Sequence, residues 1–363
     1  MVCLVQIRAR EVFFLLILST GLLNHVIIIP FLLDVAGRDA WLSVLISIVP
    51  YVLFMIMILF ISRGTEQKKI TIWIQEKFNG VLSKIIIAPF LFLLFINSYI
   101  TIVDTTKWLS TYFLKEMSNF VIVIILVFSC FIISMLGLTR MILMSLIILP
   151  LVVILGFFIM GVNITEKDIH NLFPLLLNGY GPLVKGIIFA SSGLLELYMV
   201  LLVQHHIREP IKFRSIFILG MIFIGLMFGP LSASIMEFGP VEAANLRFPA
   251  YEEWRLLQIG EYISKLDFLA MYQWMSGALI RIGLSMFLIN EFINKKKNKY
   301  ILPVFYIILL CVSLIPIDAV QFTRLVHFFY FPINVVVILL MITILSIFIM
   351  VSKKRGEKYD QKT

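Results

Sequence analysis

The sequence predicts an all-α integral membrane protein with about ten transmembrane helices. Three observations predict it. The 363-residue chain is 61% hydrophobic and 14% charged, with a mean hydropathy of +1.04, whereas a soluble domain is nearer half apolar and a quarter charged. Apolar runs long enough to cross a bilayer tile the whole chain. The Lys and Arg residues behind the net charge of +9 sit between those runs, as membrane topology requires and nucleic-acid binding does not. Residues 1–363 therefore read as a single polytopic membrane domain, with 351–363 as a cytoplasmic tail. The three cysteines, Cys3, Cys130 and Cys311, have neither metal-ligand nor disulfide-framework spacing.

A helix needs about 20 apolar residues to cross the hydrocarbon. The expected spans are 11–33, 39–62, 83–112, 119–136, 141–160, 183–203, 215–236, 266–290, 300–317 and 327–350. The first run continues past Leu33 without a small-residue cleavage site, so it reads as a span and not as a signal peptide. Orientation follows from the basic residues. With the N-terminus inside, Arg8, Arg10, the loop Arg63 to Lys84, Arg140, the cluster Arg208, Lys212 and Arg214, the run "KKKNK" and the tail "KKRGEK" all face the cytoplasm. That places about 20 basic residues inside and about nine outside, the bias of the positive-inside rule. The long outer loop 237–265 carries Glu237, Glu242, Glu252, Glu253 and Glu261. Within loop 63–82, "ITIWIQEKFNGVLSK" reads as a short amphipathic surface helix or a plain connector, with Asn79-Gly80 as a stop.

Two spans are irregular. The first carries Gly21, Asn24, His25 and Pro30 in "STGLLNHVIIIP", and the sixth carries Ser191, Ser192, Gly193 and then Glu196. Gly and Pro loosen a helix, and polar side chains can bond the freed backbone. Irregular segments at corresponding positions of two halves point to a transporter-type binding site. Spans one and six lie five apart, an odd number, so the second half would sit inverted. The expected fold is a five-plus-five inverted repeat of the amino acid permease (leucine-transporter) type, with discontinuous helices one and six. Unwound N–H groups favour a carboxylate, and freed carbonyls favour an ammonium. An amino acid carries both.

These features, with "SSGLLELY" in span six and the outer loop "LRFPAYEEWRLLQIGEYISKLDFLAMYQW", resemble the B subunit of nutrient germinant receptors. These are spore germination proteins within the amino acid–polyamine–organocation transporter superfamily. The resemblance covers essentially the whole chain. Its most specific part is Pro249, then Ile259-Gly260, Ile263, Asp267 and Trp274; Lys265 stands where the family would have Arg. The resemblance implies a multi-pass subunit of the spore inner membrane that binds a nutrient and signals germination with an A subunit and a lipoprotein C subunit.

Charges inside a membrane cost about 2.5–3.5 kcal/mol on insertion scales, so each needs a reason. Glu196 and Arg281 fall at similar depth and are expected to pair. Asp104 and Lys107, three apart in span three, share a helix face. Expected ligand-binding residues are Gly21, Asn24, His25, Asp104, Ser191, Ser192, Gly193, Glu196, Trp274 and Arg281, drawn from spans one, three, six and eight. Each also has a purely structural reading: a packing ion pair for Glu196, snorkelling for Asp104 and Lys107, a helix–helix hydrogen bond for His25, a membrane belt for Trp274. His205 and His206 read as interfacial, with no carboxylate or Cys at metal-site spacing, and no metal or cofactor is expected. No nucleotide loop, zincin pattern or nucleophile elbow occurs, so an enzyme is not expected. The sequence thus predicts a nutrient sensor, with a secondary transporter as the rival and an inert scaffold as the third reading.

Overall fold

The computed structural model describes residues 7–259, 263–264, 266–294 and 298–360. Cys3, Gly260, Glu261, Lys265 and Lys295–Lys297, all used in the sequence reading, lie outside the described residues, as does the end of the tail.

In hydrocarbon every backbone group must be satisfied within the chain, so apolar segments coil. The first segment is α1 (Ala9–Leu22), a π turn (Leu23–Ile27) and α2 (Ile29–Ala36), followed by α3 (Ala40–Ile46) and α4 (Ile48–Gly64). The short α5 (Ile70–Lys77) precedes the long α6 (Gly80–Tyr112). Asn79 caps α6, its side chain accepting from Leu82 N at 2.7 Å; the segment before it is a helix and not a plain connector, with Ile70, Trp73 and Ile74 buried against the protein. Then come α7 (Asn119–Leu136), α8 (Leu138–Val162), α9 (Tyr180–Leu194), a 3-10 turn (Leu195–Tyr198) and α10 (Met199–Val203). After α11 (Phe213–Phe238), the acidic loop folds into α12 (Pro240–Asn245), α13 (Pro249–Leu256) and a two-residue antiparallel pairing of β1 (Gln258–Ile259) with β2 (Ile263–Ser264). The chain ends with α14 (Phe268–Ile293), α15 (Ile301–Ser313), α16 (Ala319–Leu325), a π turn (Val326–Tyr330) and α17 (Phe331–Asp360).

Among the described residues, eight helices are long and apolar enough to cross a membrane; the bent pair Ile29–Ile46 and Ile48–Gly64 makes a ninth, and Ile301–Ser313 is a shorter apolar helix. This is a helical, multi-pass integral membrane protein. The helices divide into centre and rim. In the 18-residue apolar stretch of Tyr180–His206, 83% of the residues are buried, against only 22% in that of Leu138–Glu166 despite its higher hydropathy. Ile147, Phe157 and Phe128 therefore point at lipid.

The loops gather at two ends. At one end Ile7 N donates to His206 O at 3.0 Å, Gln67 Nε2 to Glu209 O at 3.1 Å, Gln204 Nε2 to Lys68 O at 2.9 Å and Lys69 Nζ to Glu291 O at 2.8 Å. This end holds the Lys/Arg-rich loops. At the other, Leu176 N donates to Asp39 Oδ1 at 3.0 Å, Tyr112 to Glu252 Oε1 at 2.6 Å, Lys107 Nζ to Ile317 O at 2.7 Å and Asn163 Nδ2 to Glu253 O at 2.8 Å.

Several helix packings recur five apolar segments apart, although the extensive contact of α1 with α14 has no equally extensive counterpart between α9 and α6. α1 packs on α8 as α9 packs on α17. α1 meets α11 as α9 meets α3, α6 meets α7 as α14 meets α15, α14 meets α7 as α6 meets α15, and α8 meets α14 as α17 meets α6. At the centre α6 lies against α14.

Candidate functional site

The two irregular segments meet at mid-bundle. The expectation of unwound backbone is corrected here: both breaks are changes of helical pitch. In the first segment Ile28 N bonds Leu23 O at 3.0 Å, a five-residue step. Pro30 follows, and with no N–H it opens α2 at its second position. The sixth segment tightens to a 3-10 turn that contains Glu196. A π turn adds a residue and a 3-10 turn removes part of one, so side chains are re-aimed without freeing a run of N–H groups.

Asn24, in the π turn, is wholly buried, and its Nδ2 and Oδ1 have no hydrogen-bond partner among the described residues. It is pressed against Gly193, where a Cβ would collide with Asn24 Oδ1 and reach within 3.0 Å of Met227. Gly193 is thus demanded by close approach of two helices. Gly21 is not: a Cβ there meets only Leu226, at 3.7 Å. His25 lies within 3.1 Å of Leu226 O through Nδ1. Pro230, four residues on in α11, offers no N–H to that carbonyl, so the imidazole takes the bond that the helix cannot make.

Glu196 and Arg281 pair, as their depth suggests. The guanidinium grips the carboxylate with two parallel bonds, Nη1 to Oε2 at 2.6 Å and Nη2 to Oε1. Arg281 Nε also donates to Thr101 at 3.2 Å and Nη1 to Ser19 O at 3.4 Å. Asn97 Nδ2 donates to Glu196 Oε1 at 3.3 Å, and Tyr330 donates to Asn97 Oδ1. Asn334, one turn beyond Tyr330, donates to Ser192 Oγ at 3.0 Å. Asn97, Thr101 and Thr105 recur every four residues and so form one stripe of α6. That stripe faces Arg281 and, two turns away on α14, Trp274, whose Nε1 donates to Thr105 at 3.2 Å. Asn24, Glu196, Arg281, Ser192, Asn97 and Asn334 are each at most 2% exposed, so this centre is closed to solvent.

One turn nearer the acidic end is a second polar cluster. Asp104 and Lys107, which share a face of α6, take different partners. Asp104 Oδ1 accepts from Arg247 Nη2, a residue of the loop between α12 and α13. Lys107 instead donates to Ile317 O. The Arg247 guanidinium lies 4.6 Å from the Phe248 ring centre and 5.6 Å from that of Phe31. Trp108 and Trp274 stack beside it, with ring centres 4.1 Å apart and planes 7° from parallel. Asp104 Oδ2 and Arg247 Nη1 have no partner among the described residues.

Of the ten expected residues, the structure brings Asn24, Ser192, Gly193, Glu196 and Arg281 to the centre, and Asp104 and Trp274 to the adjoining cluster. Ser191 only bonds back to Ile187 O at 2.7 Å. Gly21 and His25 line the interface with α11. Sequence reasoning missed Asn97, Thr101, Tyr330, Asn334 and Arg247. The first two carried a signal, polar residues at four-residue spacing in an apolar run; Arg247 carried none. It also missed that Glu291 meets both His205 and His206, from 86 and 85 residues away.

Comparison with known proteins places the chain in a family. The spore germination protein family model, a spore permease, matches residues 6–322. Spore germination protein XB of Bacillus anthracis is 36% identical over 348 residues, covering 95% of this chain and 98% of the relative. That family is receptor- and transporter-like, not a known enzyme family, and it resides in the spore inner membrane. The chain therefore belongs to the spore germination protein family of multi-pass membrane proteins.

Proposed function

We propose that this protein is the membrane subunit of a nutrient germinant receptor and that it binds an amino acid where its two irregular helices meet. The observation that carries this reading is Asn24: a buried amide with both polar atoms unpartnered, held by a pitch change against the glycine of the other irregular helix. Burying an unpaired amide costs about 1–3 kcal/mol by protein mutational data, so it is retained for a reason. The adjoining cluster suits a zwitterion. Asp104 Oδ2 offers an acceptor for an ammonium and Arg247 Nη1 a donor for a carboxylate, and aromatic rings wall the space.

The fold we infer is a ten-span, five-plus-five inverted repeat in a single domain with both termini cytoplasmic. The offset-of-five packing and the gathering of the basic loops at one end support it. The closed centre means that ligand entry requires movement, with Arg247 on the path from the acidic end. Binding shifts a conformational balance only by favouring one state, and an A subunit and a lipoprotein C subunit would read the shift.

Spores whose only receptor contains this subunit should germinate with one or a few amino acids, and not with sugars or nucleosides alone. A response confined to sugars or nucleosides would overturn the amino acid assignment. In proteoliposomes the subunit should bind that amino acid saturably without concentrating it. Concentrative uptake would favour the secondary transporter instead.

A further inference from the structure

We propose that His205, His206 and Glu291 form a binding site for a first-row divalent transition cation of the zinc class, at the basic end of the bundle. The two imidazole Nε2 atoms converge on one oxygen, Glu291 Oε1, each at 2.9 Å. The three ligand atoms lie within 4.8 Å of one another. His₂Glu is a donor set that zinc accepts, with metal–ligand bonds of about 2.0–2.2 Å and a fourth position open. At tetrahedral angles those bonds hold neighbouring ligand atoms about 3.3–3.5 Å apart. Each imidazole nitrogen needs to move only about half an ångström from Glu291 Oε1 to reach that spacing.

The scaffold already holds them. The histidines sit in a 3-10 turn (Gln204–His206). Gln204 anchors that turn to Thr65 Oγ1 at 3.0 Å and to Lys68 O at 2.9 Å. The backbone of His206 and Arg208 clamps Ile7. A buried acceptor remains to be used: Glu291 Oε2 has no partner among the described residues. Side-chain exposures of 10% for His205, 11% for His206 and 19% for Glu291 leave an entry path for an ion. Lys69 is the competing charge. Its ammonium lies 3.9 Å from Glu291 Oε1, although it bonds the Glu291 carbonyl and rests 4.5 Å from the Phe292 ring centre. A bound cation would tie the end of the segment carrying Glu196 to the end of the helix carrying Arg281. The site stands independently of the germinant reading.

The test is titration of the full chain, purified in detergent without a histidine tag, with Co²⁺ followed by its visible d–d absorption and then with Zn²⁺ as competitor. Wild type should bind one equivalent with the intensity of a low-coordinate site, and Zn²⁺ should displace it. His205→Gln and Glu291→Gln should each weaken binding at least about tenfold. Lys69→Met should tighten it about tenfold by removing the opposing charge. Wild type showing no saturable Co²⁺ or Zn²⁺ binding, or both glutamine variants binding as wild type does, would overturn the proposal. Should Glu291→Gln fail to fold, the wild-type stoichiometry and His205→Gln decide it.

Discussion

At the scale of single residues, the buried pair Glu196–Arg281 and the Asn24–Gly193 contact lie at the centre of the bundle. Removing one partner of a buried pair strands the other charge, at a cost of about 3–5 kcal/mol, whereas removing both is milder. Glu196→Gln and Arg281→Gln should each destabilise the detergent-purified protein by about that amount, and the double variant by less than the sum. Thermal unfolding of the four proteins checks it, and additive losses would contradict the pairing. Gly193→Ala should likewise destabilise, because the new methyl group collides with Asn24 Oδ1. Adding Asn24→Ala should restore stability by opening the space, but not the germination response; restoration of both would remove Asn24 from the ligand site. The Glu196–Arg281 pair was legible in the sequence because opposite charges at one depth of an apolar bundle have few alternatives. Arg247, Tyr330 and Asn334 were not. Their facing depends on helix rotation and on a loop folding back, and neither has a local sequence signature.

At the scale of elements, Gly, Asn and Pro marked the breaks correctly but not their form. Whether a helix unwinds or changes pitch depends on what surrounds it. Here the carbonyl of Leu226 in α11, freed by Pro230, is bonded by His25 of the π turn. The acidic loop makes a different point. Its helix α13 turns Glu253 inward, so that Oε1 accepts from Ser234 at 2.6 Å. Burial first, and then the nearby Glu237 carboxylate, raise the Glu253 pKa well above its ordinary value. The folded state therefore keeps a proton that the unfolded chain has released. Stability contributed at this site is fullest below the unfolded carboxylate pKa of about 4.5 and is lost as pH rises through the folded value. Glu253→Gln mimics the protonated acid, so it should flatten the fall in melting temperature between mildly acidic and neutral pH. An unchanged pH profile in that variant would contradict the protonated assignment.

At the scale of the whole molecule, hydropathy and charge asymmetry made most of the fold legible, because the bilayer imposes both. Among the described residues eight of the ten expected spans, or nine with the bent pair, are long and apolar enough to cross a membrane; the first ends at Ile27 and the second opens at Ile29 instead of 39, the expected span 300–317 is only the shorter helix Ile301–Ser313, and the last opens at Ala319 because α16 and a π turn precede α17. The inferred topology has its own check. In a background lacking the native cysteines, Val241→Cys in the acidic loop should label with an impermeant thiol reagent in intact cells, whereas Asn298→Cys should label only after permeabilisation. Equal labelling would break the even-span arrangement. The central claim, that an amino acid germinant binds where the two irregular helices meet, is tested most directly by germination dose–response. Spores carrying Asn24→Ala in their only receptor, with the subunit present at wild-type level, should need at least about tenfold more amino acid, as expected when a buried polar contact worth about 1.4 kcal/mol or more is lost. A dose–response curve that superimposes on wild type would contradict the account.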